Sequence, residues 1–111
     1  MIRGLCMEGL EAGWLCDRAA GETRFSRVAR TSAETRSFSI DAVLSHGPGV
    51  EHTHPRGEVN LCLSVDGAPR FDGHPEGWAA YTPGTRHRPD VAGGTMLLLY
   101  FLPDGAIEWH R

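Results

Sequence analysis

The sequence predicts an all-β fold, a small single-domain sandwich or barrel with a short irregular or helical N-terminus. Two observations carry this. Fourteen glycines and seven prolines cut the 111 residues into short pieces, at Gly47-Pro48-Gly49, Pro55-Arg56-Gly57, Asp66-Gly67, Asp72-Gly73, Pro75, Pro83-Gly84, Gly93-Gly94 and Pro103-Asp104-Gly105. Between the breaks lie runs of strand length, 23–30, 37–45, 58–65, 69–72, 77–82 and 95–102, and many short strands with close turns are the pattern of a closed or double sheet. Only residues 2–18 have helical character, weakened by Gly4, Gly9 and Gly13.

Segment 58–65 is the most informative strand. Val59, Leu61, Leu63 and Val65 alternate with Glu58, Asn60, Cys62 and Ser64, so Asn60 and Cys62 share a face with Glu58. The pattern allows a polar face in solvent. It also allows a polar barrel interior, with the apolar face packed on a second sheet or a partner subunit, and the residues just upstream favour that reading.

Composition excludes several classes. A net charge of −3 and the interleaving of Arg24, Arg27, Arg30 and Arg36 with Glu22 and Glu34 leave no basic stripe for nucleic acid. The longest apolar run, 96–102, is far too short to span a bilayer, and the first residues lack the apolar core of a secretory signal. Three cysteines (Cys6, Cys16 and Cys62), an odd number with no CxxC, argue against a disulfide framework and for a reducing cytoplasm.

The chemistry lies upstream of the central strand, in His52-Thr53-His54-Pro55-Arg56-Gly57-Glu58. Two histidines one residue apart on an extended segment point the same way and can share one ion. A turn at 55–57 returns Glu58 to it, and His87, after Pro83-Gly84-Thr85-Arg86, supplies a fourth ligand. Three imidazoles and a carboxylate suit one divalent Fe, Mn, Zn, Ni, Co or Cu ion, with coordination positions left open for chemistry. His46, His74 and His110 lack matching partners in sequence and are expected in surface or hydrogen-bonding roles.

The order Gly47…His52-x-His54-x3-Glu58…Gly67, then Gly77-x5-Pro83-Gly84-x2-His87, resembles the two motifs of the cupin superfamily. It departs in the spacing of Gly47, Gly67 and Pro83-Gly84 and lacks the usual Asn after the last histidine, but all four ligands are in place. The resemblance implies a jelly-roll barrel, with one domain over 1–111, a barrel core from about residue 23 to 111 and metal motifs at 47–67 and 77–90. More narrowly, the segments GEVNLC, RFDGHP, GW and LPDGAIEWH, within 52–87 and 96–110, resemble the 4-hydroxylaminobenzoate lyase family of small cupins. This resemblance implies conversion of a small aromatic carboxylate, 4-hydroxylaminobenzoate, to protocatechuate with release of ammonia. Another metal-dependent cupin enzyme, a dioxygenase or isomerase, and a non-catalytic ligand-binding barrel are the alternatives.

Supporting residues follow from position. Asn60, on the ligand face, is a candidate to orient water or substrate, and Glu108 is the candidate proton carrier outside the ligand set. Arg56, Arg86 and Arg88 flank the ligand loops and suit a substrate carboxylate. Trp78, Tyr81 and Tyr100 are candidate ring-stacking walls. A homodimer is the expected assembly.

Overall fold

The computed structural model describes residues 2–20, 23–49 and 51–110. One helix, α1 (Ile2–Ala12), precedes nine strands: β1 (Arg18–Ala20), β2 (Thr23–Ala29), β3 (Phe38–Ser45), β4 (His52–His54), β5 (Glu58–Phe71), β6 (Gly77–Tyr81), β7 (Thr85–His87), β8 (Val91–Pro103) and β9 (Glu108–Trp109). They form two antiparallel sheets, a six-stranded one in the order β1-β2-β3-β8-β5-β6 and a three-stranded one in the order β7-β4-β9. The all-β expectation holds.

The large sheet is built on β5 and β8, which are longer than the sequence breaks suggest. Asp66-Gly67 and Gly93-Gly94 read as turns, yet both strands run through them, with Gly67 paired to Gly94 and the register shifting on either side. The two backbones cross there at close range. A Cβ on Gly94 would lie 2.1 Å from the Asp66 carbonyl oxygen, so only glycine lets the pairing continue. Segment 58–65 and residues 69–71 of the next are therefore one strand.

Alternation along β5 and β8 divides the core in two. On the outer face Leu61, Leu63, Leu97, Leu99 and Ala42 pack with Cys6, Leu15 and Cys16, with Met7 and Leu10 of α1 against them. On the inner face Cys62, Phe71, Ala79, Val91, Met96 and Leu98 form a second cluster with Val43, Tyr81 and Tyr100. The polar face of β5 is thus interior. Its apolar face is covered by the chain's own helix and the residues after it, where a second sheet or a partner was the expectation. The edge of that face is less covered: Val59, Trp78 and Val65 are exposed.

Candidate metal centre

The small sheet carries the histidines. His52 and His54, two apart on β4, project inward and are both buried. Pairing β7 against β4 sets His87 opposite His52, so its ring points the same way. Two loops must close for this, and one acceptor ties them: the His54 carbonyl receives the Gly57 amide at 3.1 Å and the Gly84 amide at 2.8 Å. Gly57, at φ +85, lies so close to the Tyr81 carbonyl that a Cβ would meet it at 2.8 Å. HTHPRGE and PGTRH are thereby locked together.

The Nε2 atoms of His52, His54 and His87 form a triangle with sides of 2.9, 3.0 and 3.1 Å. Nitrogens about 2.1 Å from one ion and about 3.0 Å from one another subtend about 90° at it, whereas a tetrahedral ion would hold them about 3.4 Å apart. The triangle therefore has the size of one face of an octahedron. Glu58 adjoins it, with Oε2 3.2 Å from His54 Nε2 and accepting the Asn60 amide at 2.9 Å. Both side chains are buried, and Glu58 Oε1 and Asn60 Oδ1 have no hydrogen-bond partner among the described residues. A buried carboxylate oxygen without a partner costs about 1–3 kcal/mol or more, and a cation beside it removes that cost. The residues present fit a divalent ion.

Around the triangle, His87 Nδ1 lies 3.0 Å from Asp72 Oδ2, which also accepts the Tyr81 hydroxyl at 2.6 Å. Burial, and then the bond to Asp72, push the Tyr81 phenol well above its ordinary value, and burial does the same to Tyr100. Both phenols are neutral near pH 7. Cys62, on the ligand face, has its thiol pushed up to about 11 by burial and by the nearby Glu58 and Asp72 charges, so it too stays neutral.

A model of the family described as PnbB, 4-hydroxylaminobenzoate lyase, matches residues 1–109. The chain belongs to this family. A 4-hydroxylaminobenzoate lyase of Pseudomonas putida is 33% identical over 126 residues, spanning 97% of this chain and 72% of that protein. Another, from Nocardioides sp. (strain LMS-CY), is 32% identical over 119 residues, spanning 97% and 70%. An RmlC-like cupin protein from Ralstonia eutropha JMP134 superposes with a TM-score of 0.60 at 15% identity, covering 83% of this chain and 62% of that one. That likeness shows the fold, a cupin.

Within this lyase-family cupin the candidate residues separate by strand parity. Tyr81 and Tyr100 stand on the inner face, Tyr81 with its ring centroid 4.4 Å from that of His87. Trp78 does not join them: it pairs with Leu61 and so lies on the outer face, 65% exposed and against Phe101. Glu108 is also directed away. It pairs with Thr53, whose side chain points opposite to His52 and His54, and it is exposed. Arg86 shares that side and bonds Glu51 at 2.9 Å, which holds the Glu51 carboxyl below the usual range. Arg56 pairs with Asp104 at 3.2 Å, and Arg88 is exposed. His110 bonds Thr53 Oγ1 at 2.7 Å. Among the described residues, one neighbour of the centre escaped sequence reasoning, Asp72. Trp109 belongs to the polar-aromatic segment Glu108-Trp109-His110, which the sequence offers as a cover for a pocket or a partner, and it is set opposite His52 with ring centroids 5.1 Å apart.

Proposed function

We propose that the chain is a metal-dependent 4-hydroxylaminobenzoate lyase that converts 4-hydroxylaminobenzoate and water to protocatechuate and ammonia. The observation that carries this is the buried Nε2 triangle with Glu58 beside it, in a chain of this family. The proposed ligands are His52, His54, His87 and Glu58, holding one divalent Fe, Mn, Zn, Ni or Co ion. The reaction balances without an outside oxidant. Two electrons reduce the N–O bond and the same two are lost by the ring, so O₂ is not consumed.

When bound, such an ion supplies Lewis acidity where negative charge develops on a substrate oxygen. The chain's residues supply the rest. Asn60 Oδ1, buried and without a partner among the described residues, is the candidate acceptor for an N–H or O–H of the hydroxylamine. Tyr81 and Trp109, beside His87 and His52, offer apolar surface to an aromatic ring. Arg56 stands between two ligands in sequence, and its exposed pair with Asp104 is of the kind worth about 0–1 kcal/mol, so exchange for a substrate carboxylate costs little. Glu108 and Trp78 have no part in this reading, because both face away.

The same reading takes residues 1–111 as one cupin domain in a reducing cytoplasm, where the three buried free thiols stay reduced. It also assembles the chain as a homodimer through the outer face at the exposed Val59 and Trp78, beside the half-buried Phe101. Light scattering at micromolar concentration is expected to give twice the chain mass, and a monomer removes the dimer.

Metal analysis of purified protein, with an assay on 4-hydroxylaminobenzoate that follows protocatechuate and ammonia, tests the function. Stoichiometric metal and equal yields of both products are expected, with turnover abolished in His52→Ala and His87→Ala. Full turnover in those variants refutes the metal reading. Oxygen uptake without ammonia moves the assignment to a dioxygenase.

A further inference from the structure

Asp72 lies 14 residues beyond Glu58, in the turn just past the far end of β5 and outside both ligand loops. Its carboxylate is held at three points. Oδ1 accepts the Asp90 amide at 2.9 Å, and Oδ2 accepts the Tyr81 hydroxyl at 2.6 Å and lies 3.0 Å from His87 Nδ1. The backbone is held as well, since the Asp72 amide donates to the Asp90 carbonyl at 2.9 Å. The adjoining Phe71 and His74 exchange amide–carbonyl bonds of 2.8 Å. A carboxylate oxygen accepts in this contact, so a neutral His87 bonded to Asp72 carries its proton on Nδ1. The lone pair is then on Nε2, the atom that completes the triangle.

His54 and His87 differ in this support. His52 and His54 sit on the central strand of the small sheet, whereas His87 ends a three-residue edge strand and its side chain is 13% exposed. His54 Nδ1 has no partner among the described residues. The ligand on the weakest element thus has its second nitrogen anchored.

We propose that Asp72, clamped by Tyr81 and the Asp90 amide, is a positioning residue of the metal centre that fixes the tautomer and ring orientation of His87. This rests on the metal reading above. Outer carboxylates on ligating histidines typically carry about 10- to 100-fold in metal affinity.

Asp72→Asn is the informative variant. Asp72 has φ +48, a left-handed conformation that Asn adopts as readily as Asp, and Asn keeps an oxygen for the Asp90 amide. Its NH₂ group then faces His87 Nδ1 and favours the opposite tautomer. Two measurements decide. Nitrogen-15 NMR of metal-free protein is expected to show His87 protonated on Nδ1 in the wild type and on Nε2 in Asp72→Asn. Zinc(II) competition against a chromophoric chelator is expected to show affinity about 10- to 100-fold weaker in the variant, with metal-free thermal midpoints alike. Tyr81→Phe, which removes one clamp and keeps the ring, is expected to weaken zinc binding several-fold, and it serves if Asp72→Asn fails to fold. A wild type that binds no zinc overturns the metal reading. A wild type that binds zinc, with equal affinity and an unchanged tautomer in the variants, overturns the role of Asp72 alone.

Discussion

On the outer face of β5, Leu61 and Leu63 meet Leu97, Leu99, Leu15 and the thiols of Cys6 and Cys16. Nothing there asks for a hydrogen bond. On the inner face of the same strand, Glu58 and Asn60 are as deeply buried, 2% and 0% exposed, yet each leaves one oxygen without a partner among the described residues. Burying a leucine stabilises by about 1.5–3 kcal/mol, whereas an unpaired buried acceptor costs about 1–3 kcal/mol. Two faces of one strand thus contribute with opposite sign. The outer face holds the fold together, and the inner face keeps unspent bonding capacity aimed at the histidine triangle.

A pair of substitutions breaks or sharpens this contrast. Leu97→Ala, at a fully buried outer-face position, is expected to destabilise by about 2–5 kcal/mol and to lower the thermal midpoint by on the order of 10 °C. Turnover per folded molecule and metal affinity stay at the wild-type level. His54→Ala does the reverse. Losing several kcal/mol of metal-derived stabilisation lowers kcat/KM by on the order of a thousandfold, while the midpoint of metal-free protein moves only a few degrees. Thermal melts and steady-state kinetics on both variants decide the matter. If metal-free His54→Ala melts as low as Leu97→Ala, the inner face is core as much as site, and the contrast fails.

Much of this division was legible before any coordinates, and the parts that were not share a cause. Alternation over 58–65 reveals a two-faced strand because eight residues are enough to show a period of two. His52 and His54 are legible from their spacing alone, because residues two apart on an extended segment share a face. Strands β4, β7 and β9 have three, three and two residues, too few to show a period, so the sense of Glu108 and Arg86 depends on the register with Thr53. Trp78 is settled in the same way by its pairing with Leu61. Gly67 and Gly94 mislead because glycine serves a tight turn and a close strand crossing equally well. Asp72 reads as a turn residue and is one. Its bond to His87 across 15 residues exists only once both sheets are in place.

A smaller effect tests whether every unpaired atom of the inner side belongs to the site. Ser39, on β3, is 2% exposed, and its Oγ is the remaining buried side-chain oxygen on that side without a partner among the described residues. It pairs with Leu102 of β8, which separates it from β5 and the carboxylate of Glu58. No hydrogen bond connects its hydroxyl to a proposed ligand, so it carries the cost of burial without the use. Ser39→Ala removes that hydroxyl and leaves the rest of the strand as it is. The expected gain is about 1 kcal/mol, a rise of about 4 °C in the thermal midpoint, with kcat and KM unchanged. A melt and a substrate titration on one preparation measure both. Lower turnover with an unchanged midpoint extends the functional region across β8 to β3. A lower midpoint shows that Ser39 is satisfied in solution, leaving Glu58 and Asn60 as the side chains whose unpaired oxygens, among the described residues, await a ligand.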